Sequence, residues 1–286
     1  MPHQPFVRTL RAQWLGQELR RLREQRHMTI DLVAGHLKRD PSALSRYERG
    51  AWPIGRGDVL ALLDLYGFHQ AGERERMLRL AEEMWVTDRW SENYSDILEP
   101  SFIDFPWLES TSERVCSYHT MLVPGLFQLR EYAELVIRHE ERGQLSEEKI
   151  QRGVDLRMDR QGLLVQPTGP QIDVVIDEAV LRRPIGGPAL MRARLGQLLT
   201  CAARPRFTVR VLPTSIALQR EAHEFWVFEL PMPYPAVAYL DYIGGQFYLG
   251  SPKSDRYVRA YAELRTASLD PRESATLIAG LAKELQ

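Results

Sequence analysis

The stretch that decides the N-terminal fold is Thr29–Gly50, TIDLVAGHLKRDPSALSRYERG. Thr29 reads as an N-cap, and Asp31 sits in the first turn, where the helix dipole favours an anion. The helix predicted from Ile30 to Leu37 is short, and Lys38-Arg39-Asp40 breaks it. Asp40 caps a second helix, with Pro41 at its first position, where a missing N–H costs nothing. Gly50, after Glu48-Arg49, can take the left-handed conformation that ends this helix. Two helices that cross closely need a small residue at the crossing and apolar residues on both sides of the joint. Ala34 supplies the first; Val33, Leu37, Leu44 and Tyr47 supply the second. A second helix capped this sharply can project its N-terminal end into a major groove. Its outward face carries Pro41, Ser42, Ser45, Arg46 and Arg49, and Arg46 can reach guanine O6 and N7 with two N–H groups. Amides at the starts of both helices, the one capped by Thr29 included, can grip phosphates. Lys38 and Arg39 make the turn itself a candidate phosphate clamp. The expected DNA-binding set is therefore Thr29, Lys38, Arg39, Pro41, Ser42, Ser45, Arg46 and Arg49. The competing reading is an amphipathic helical hairpin that serves as a protein interface.

Outward from this stretch, residues 8–24 predict a helix. Leu10, Trp14 or Leu15, Leu19 and Leu22 form its apolar stripe, and Arg8, Arg11, Arg20, Arg21 and Arg23 lie around and off it. Further helices are expected at about 57–66 and 73–85. From about Asp88 polar and aromatic residues alternate with Pro100 and Pro106, as in a linker or docking segment. Beyond it the patterns predict helices at about 125–140, 146–163, 188–203, 251–267 and 271–285. Strands are expected at 171–176, 207–212, 224–230, 237–243 and 246–249, with a tight turn at Ile243-Gly244-Gly245-Gln246. Strands and helices occur without strict βαβ alternation. The expected class is α+β overall: an all-α five-helix domain over residues 1–88, a linker or docking segment over 89–110, and an α+β domain with a mostly antiparallel sheet over 111–286.

Composition narrows the function classes. The chain has 286 residues, 44% hydrophobic and 26% charged, enough apolar material for a packed core. No apolar run approaches the roughly 20 residues that span a bilayer. MPHQPFVRTLRAQW contains no apolar region followed by small residues, so no secretory signal is expected. Cys116 and Cys201, the only cysteines, form no disulfide framework and no zinc knuckle, which fits a reducing cytoplasm. Net charge is −1 but unevenly placed. Residues 1–68 hold 11 basic and 7 acidic side chains, a balance of +4; the remainder holds 26 and 31, a balance of −5. A basic N-terminal module on an acidic body is the asymmetry of a protein whose one end meets phosphate.

The ordered pattern T-x-x-x-[LV]-A-x-x-L-x-x-[SD]-x-S-x-[LIV]-S-R-x-E-R-G resembles the Xre and phage-repressor class of helix-turn-helix, and Leu60–Phe68 resembles that class's fourth helix. The resemblance implies a structural role for Glu48. It also marks three departures: Lys38 where glycine is usual, Arg39 where an aliphatic plug is usual, and Ile30 and Pro41 where polar residues are usual. The segments Leu122–Gln128, Asp177–Pro188, Val209–Pro213 and Leu269–Ser274 resemble the C-terminal module of the actinobacterial antitoxin-like Xre regulators. That resemblance implies a DNA-binding regulator, often encoded beside a small partner protein, whose C-terminal module binds that partner, dimerises or senses a signal. The partners it implies are double-stranded DNA, a second copy of the chain and a small protein from a neighbouring gene. No catalytic residue, cofactor or metal comes with it.

An enzyme is the rival class, but the chain has no GxSxG, HExxH or GK[ST] signature. Asp177-Glu178 reads as a helix cap before it reads as an acid–base pair, and Arg182-Arg183 can hold an anion or pair with carboxylates. His119, His139 and His223 are isolated in sequence. Phe102, Phe105 and Trp107, with Phe225, Trp226 and Phe228, could line a groove, although such spacing more often builds core. The expectation is a cytoplasmic, non-enzymatic regulator. A pure interaction module that sequesters its partner is the alternative.

Overall fold

Local capping shapes the N-terminal part of the chain. In the computed structural model, which describes residues 6, 8–83, 93–94, 96–97, 102–140, 145–164, 166–216, 223–231, 234–242 and 245–285, helices α1 (Leu10–Gln25), α2 (Ile30–His36), α3 (Pro41–Glu48), α4 (Arg56–Leu65) and α5 (Ala71–Glu83) follow one another. Thr9, Thr29 and Asp40 cap α1, α2 and α3 by accepting from Ala12, Leu32 and Ser42 amides. Each satisfies an amide that the first turn leaves without an intrahelical partner. Helices α1 to α4 all end in one way. The residue after the C-cap takes a positive φ, and its amide and the next fold back onto the last turn. Glycine does this at Gly50 and Gly67, whereas His27 and Lys38 do it at φ 53° and 55°. Helix α3 packs on α1 and α2, and α5 packs on α1 and α4. Leu15, Leu19, Val33, Ala34, Leu44, Leu62, Leu63 and Met77 are buried among them. The stripe of α1 runs through Leu15, not the half-buried Trp14, and Arg11 and Arg23 are buried rather than off the stripe.

Contacts divide the chain into two units, 1–104 and 105–286. The second unit is α+β. Its elements are α6 (Asp104–Thr111, beginning at the boundary), β1 (Arg114–His119), a 3-10 turn (Gly125–Phe127), α7 (Arg130–Glu140), α8 (Glu147–Leu164) and β2 (Gln171–Asp177). There follow α9 (Glu178–Arg182), α10 (Gly187–Ala202), β3 (Phe207–Leu212), β4 (Phe225–Glu229), β5 (Val237–Tyr242), β6 (Gly245–Leu249), α11 (Ser254–Ala267) and α12 (Pro271–Glu284). The strands form one sheet in the order β3-β2-β1-β4-β5-β6. The β1–β2 and β2–β3 pairings are parallel; β1–β4, β4–β5 and β5–β6 are antiparallel. One face meets α6, whose Phe105 ring packs edge-on to Trp226, Phe228 and Tyr239. The other buries Cys116, Tyr118, Val175, Phe225, Val227 and Leu240 against Tyr261 and Leu264 of α11.

Three expectations change. Strand β1 was not predicted, although it joins the parallel and antiparallel halves of the sheet. Its sequence, RVCSYH, shows no alternation because five of its six residues are buried, on both faces. The described end of the 89–110 segment, expected to be a linker or docking stretch, is helix α6, and its Phe105 lies inside the core. The single helix expected at 125–140 is interrupted at Gln128, which is extended. The Gln128 amide is buried, donating to Val123 O at 2.7 Å and accepting from Arg157 at 2.7 Å. At the predicted tight turn, β5 and β6 pair down to Tyr242 opposite Gly245, and Ile243-Gly244 lie outside the described residues. Met84 and Trp85, at the predicted end of α5, also lie outside them.

Candidate nucleic-acid interface

Behind α3 the structure is locked. Glu48 is buried and accepts from Arg23 Nε at 2.6 Å and Nη2 at 2.8 Å, while Arg23 Nη1 donates to Met28 O at 2.9 Å. This two-pronged pair ties the end of α3 to α1 and the following turn. Its hydrogen bonds hold Arg23 above its ordinary pKa. Gly16 lets the two backbones meet: a Cβ there would stand 2.4 Å from Tyr47 O. Gly50 is equally confined, since a Cβ would sit 2.7 Å from α1 backbone atoms.

In front, Pro41, Ser42, Arg46 and Arg49 are exposed and Ser45 is half-buried. The neighbouring turn exposes Lys38 and Arg39, and Thr29 is exposed at the start of α2. The eight predicted residues thus fall on α3, the turn before it and the start of α2. Their availability differs. Arg39 lies 3.2 Å from Asp58 of α4. Arg49 Nε donates to Ser45 O, one turn back on its own helix. Thr29 and Asp40 spend side-chain oxygens on their caps, and the Ser42 hydrogen bonds to Asp40 hold that carboxyl below its ordinary pKa. Among the described residues no carboxylate pairs with Lys38, Arg46 or Arg49. These three leave a positive strip beside the helix in which only Arg46 is close enough to Asp40 to lower that carboxyl's pKa further. Pro41 presents only its ring.

Sequence reasoning missed Trp52. It follows α3 in the loop to α4, is 51% exposed, and has the Arg46 guanidinium 5.5 Å from its ring centroid. The signal available was an aromatic two residues past Gly50.

The second unit's candidates resolve into structural pairs. Asp177 caps α9 through the Ala179 amide. Glu178 binds Arg182 at 2.8 Å and accepts from Thr214. His119, not its sequence neighbour His223, faces Glu224, with Nδ1 3.8 Å from the carboxylate. Glu224 also accepts from the Thr120, Met121 and Leu122 amides. Burial pushes Glu224 up, but His119 and these amides outweigh it, and its pKa is lowered. Phe105, Phe225 and Phe228 are core. Among the described residues no group of His, Cys, Asp and Glu could hold a metal ion, and no helix is long and apolar enough to cross a membrane.

Comparison with known families agrees with this division. Residues 14–77 match a family described as Helix-turn-helix domain, and residues 102–280 match one described as Domain of unknown function (DUF5753). No curated protein and no solved structure matches.

Proposed function

Because this chain belongs to the DUF5753 family and carries a helix-turn-helix domain ahead of that region, we propose that it is a sequence-specific DNA-binding transcriptional regulator of the Xre type. The observation that carries the reading is the contrast across α3. One side is anchored by the Arg23–Glu48 pair, and the other presents Ser42 and Arg46 beside the unneutralised Lys38 and Arg49. A helix held this way can present Arg46 to a base edge in the major groove, while Lys38, Arg39 and Arg49 meet phosphates. Thr29, Ser42, Ser45 and the helix-start amides add neutral phosphate contacts. One short recognition helix reads only a few base pairs, so the protein acts as a symmetric dimer on two half-sites. The DUF5753 region sets that state or receives a signal, for instance from a small protein encoded nearby, in the antitoxin-like manner. It performs no catalysis, and the protein works in the cytoplasm.

The test is selection of bound duplexes from a randomised library, followed by titration of the enriched duplex at several salt concentrations. The expected result is an enriched motif with two-fold symmetry and an affinity that falls linearly in log–log form with salt, as released counterions require. Absence of enrichment together with capture of the neighbouring gene product would overturn the reading in favour of an interaction module.

A further inference from the structure

We propose that Trp52 is a positioning residue for Arg46, so that the two side chains act as one reading unit at the end of the recognition helix. The inference rests on the DNA-binding reading above. A half-exposed tryptophan on a polar face exposes a large apolar surface to water. Its neighbours hold it there. Gly50 turns the chain out of α3 with φ 62°, Pro53 is half-buried, and Ile54 is 2% exposed, anchoring the loop in the core. Trp52 therefore projects from a loop pinned at both sides, and the Arg46 guanidinium lies over its ring.

The geometry suits an arginine that must read. A guanidinium placed over an aromatic ring is attracted by the ring's π-electrons and spends no N–H donor on a hydrogen bond. An ion pair would consume those donors. The other basic side chains of the face show the difference: Arg39 is engaged by Asp58, and Arg49 by a backbone carbonyl. Among the described residues Arg46 donates to no carboxylate or carbonyl. Its planar fork is oriented while its capacity for two parallel hydrogen bonds is kept. An exposed cation–π contact corresponds to about two- to fivefold in an equilibrium constant, and this is the expected contribution of Trp52 to specific binding.

The experiment compares the full chain with Trp52→Ala, Trp52→Phe, Arg46→Ala and the Arg46→Ala/Trp52→Ala double variant. The probes are the duplex that the wild type enriches from a random library and a scrambled duplex of the same composition. Trp52→Ala is expected to weaken the enriched duplex about two- to fivefold and leave the scrambled one unchanged. Trp52→Phe should recover most of the loss, and Trp52→Ala should cost nothing further once Arg46 is alanine. Without DNA, NMR of the wild type should show the Arg46 side-chain protons shifted upfield by the indole ring, and Trp52→Ala should abolish that shift. Equal losses on both duplexes, an undiminished loss in the Arg46→Ala background, or no ring-current shift would each overturn the proposal. A ring-current shift in a wild type that enriches no duplex would instead overturn the DNA-binding reading, and the positioning role with it.

Discussion

The two units each contain a buried, two-pronged Arg–Glu pair, and the pairs do different work. In the helical unit Arg23 and Glu48 are 25 residues apart and hold α3 against α1. In the sheet unit Arg160 and Glu109 are 51 apart. They join α8 to α6 at 2.8 Å, with the guanidinium 4.9 Å from the Phe105 ring centroid. The first pair turns a helix so that its basic face stays outside. The second neutralises charge within a core whose polar groups, among them Arg194 and Asp173, face inward. Similar chemistry thus supports an outward-looking surface in one unit and a closed interior in the other.

The largest expected effects probe that parallel directly. Glu48→Ala and Glu109→Ala each remove the carboxylate that holds both prongs of a guanidinium, and each should destabilise its own unit by about 3–5 kcal/mol. Hydrogen exchange read by segment should place the loss within residues 10–83 for the first and 105–285 for the second. DNA binding should fall with Glu48→Ala. If both variants left exchange unchanged, neither pair would bear the load assigned to it.

Next comes the outward face. Arg46→Ala should lose about 1–3 kcal/mol of specific binding while the melting temperature holds, because the side chain touches no core. Arg39→Ala and Arg49→Ala should weaken all sequences alike and lower the salt slope by about 1 each. Gel shifts of matched specific and scrambled duplexes measure both quantities. An altered base preference in either phosphate variant would show that the face had been sorted wrongly.

A smaller effect separates the units by pH. Glu224 has a lowered pKa in the folded sheet unit. Its stabilisation is complete above the ordinary glutamate pKa and is lost as pH falls through the lower folded value. Glu224→Gln should cost about 1 kcal/mol at neutral pH and flatten the acid limb of the stability curve. Denaturant melts from neutral to acid pH would check this; an unchanged acid limb argues against the role.

The smallest effect concerns the turn. Lys38 holds a left-handed conformation that costs a non-glycine residue about 1–2 kcal/mol, part of which glycine returns as lost chain entropy. Lys38→Gly should therefore stabilise the helical unit by about 0.5–1 kcal/mol while weakening DNA binding without sequence preference. Loss of stability in thermal melts would mean that the lysine side chain has a packing role.

How much could be read in advance differs between the units for one reason, the range of the forces. Thr29, Asp40-Pro41 and Gly50 act on amides and carbonyls within a few residues. The boundaries of α2 and α3 and the outward position of Ser42 and Arg46 were therefore legible along the chain. The usual glycine at position 38 also gains its physical reason there, since Lys38 takes the αL conformation. What stayed hidden depends on distant partners. The burial of Arg23 requires Glu48, and the placement of the Arg46 guanidinium over Trp52 requires the chain to be turned back at Gly50. The contact of Arg39 with Asp58 crosses to another helix.

In the sheet unit the sequence by itself determined the α+β class and most of its strands and helices, through periodicity and the cap at Asp177. Only the tertiary structure decided that RVCSYH is a strand, that Gln128 breaks a helix, and that β1 pairs in parallel with β2 and antiparallel with β4. A strand buried on both faces has no polar side to mark its period, and its neighbours lie 57 and more than 100 residues away along the chain. Local signals determine where an element starts and stops. Which elements meet, and which charges they bury between them, is decided by packing over distances that no local pattern records.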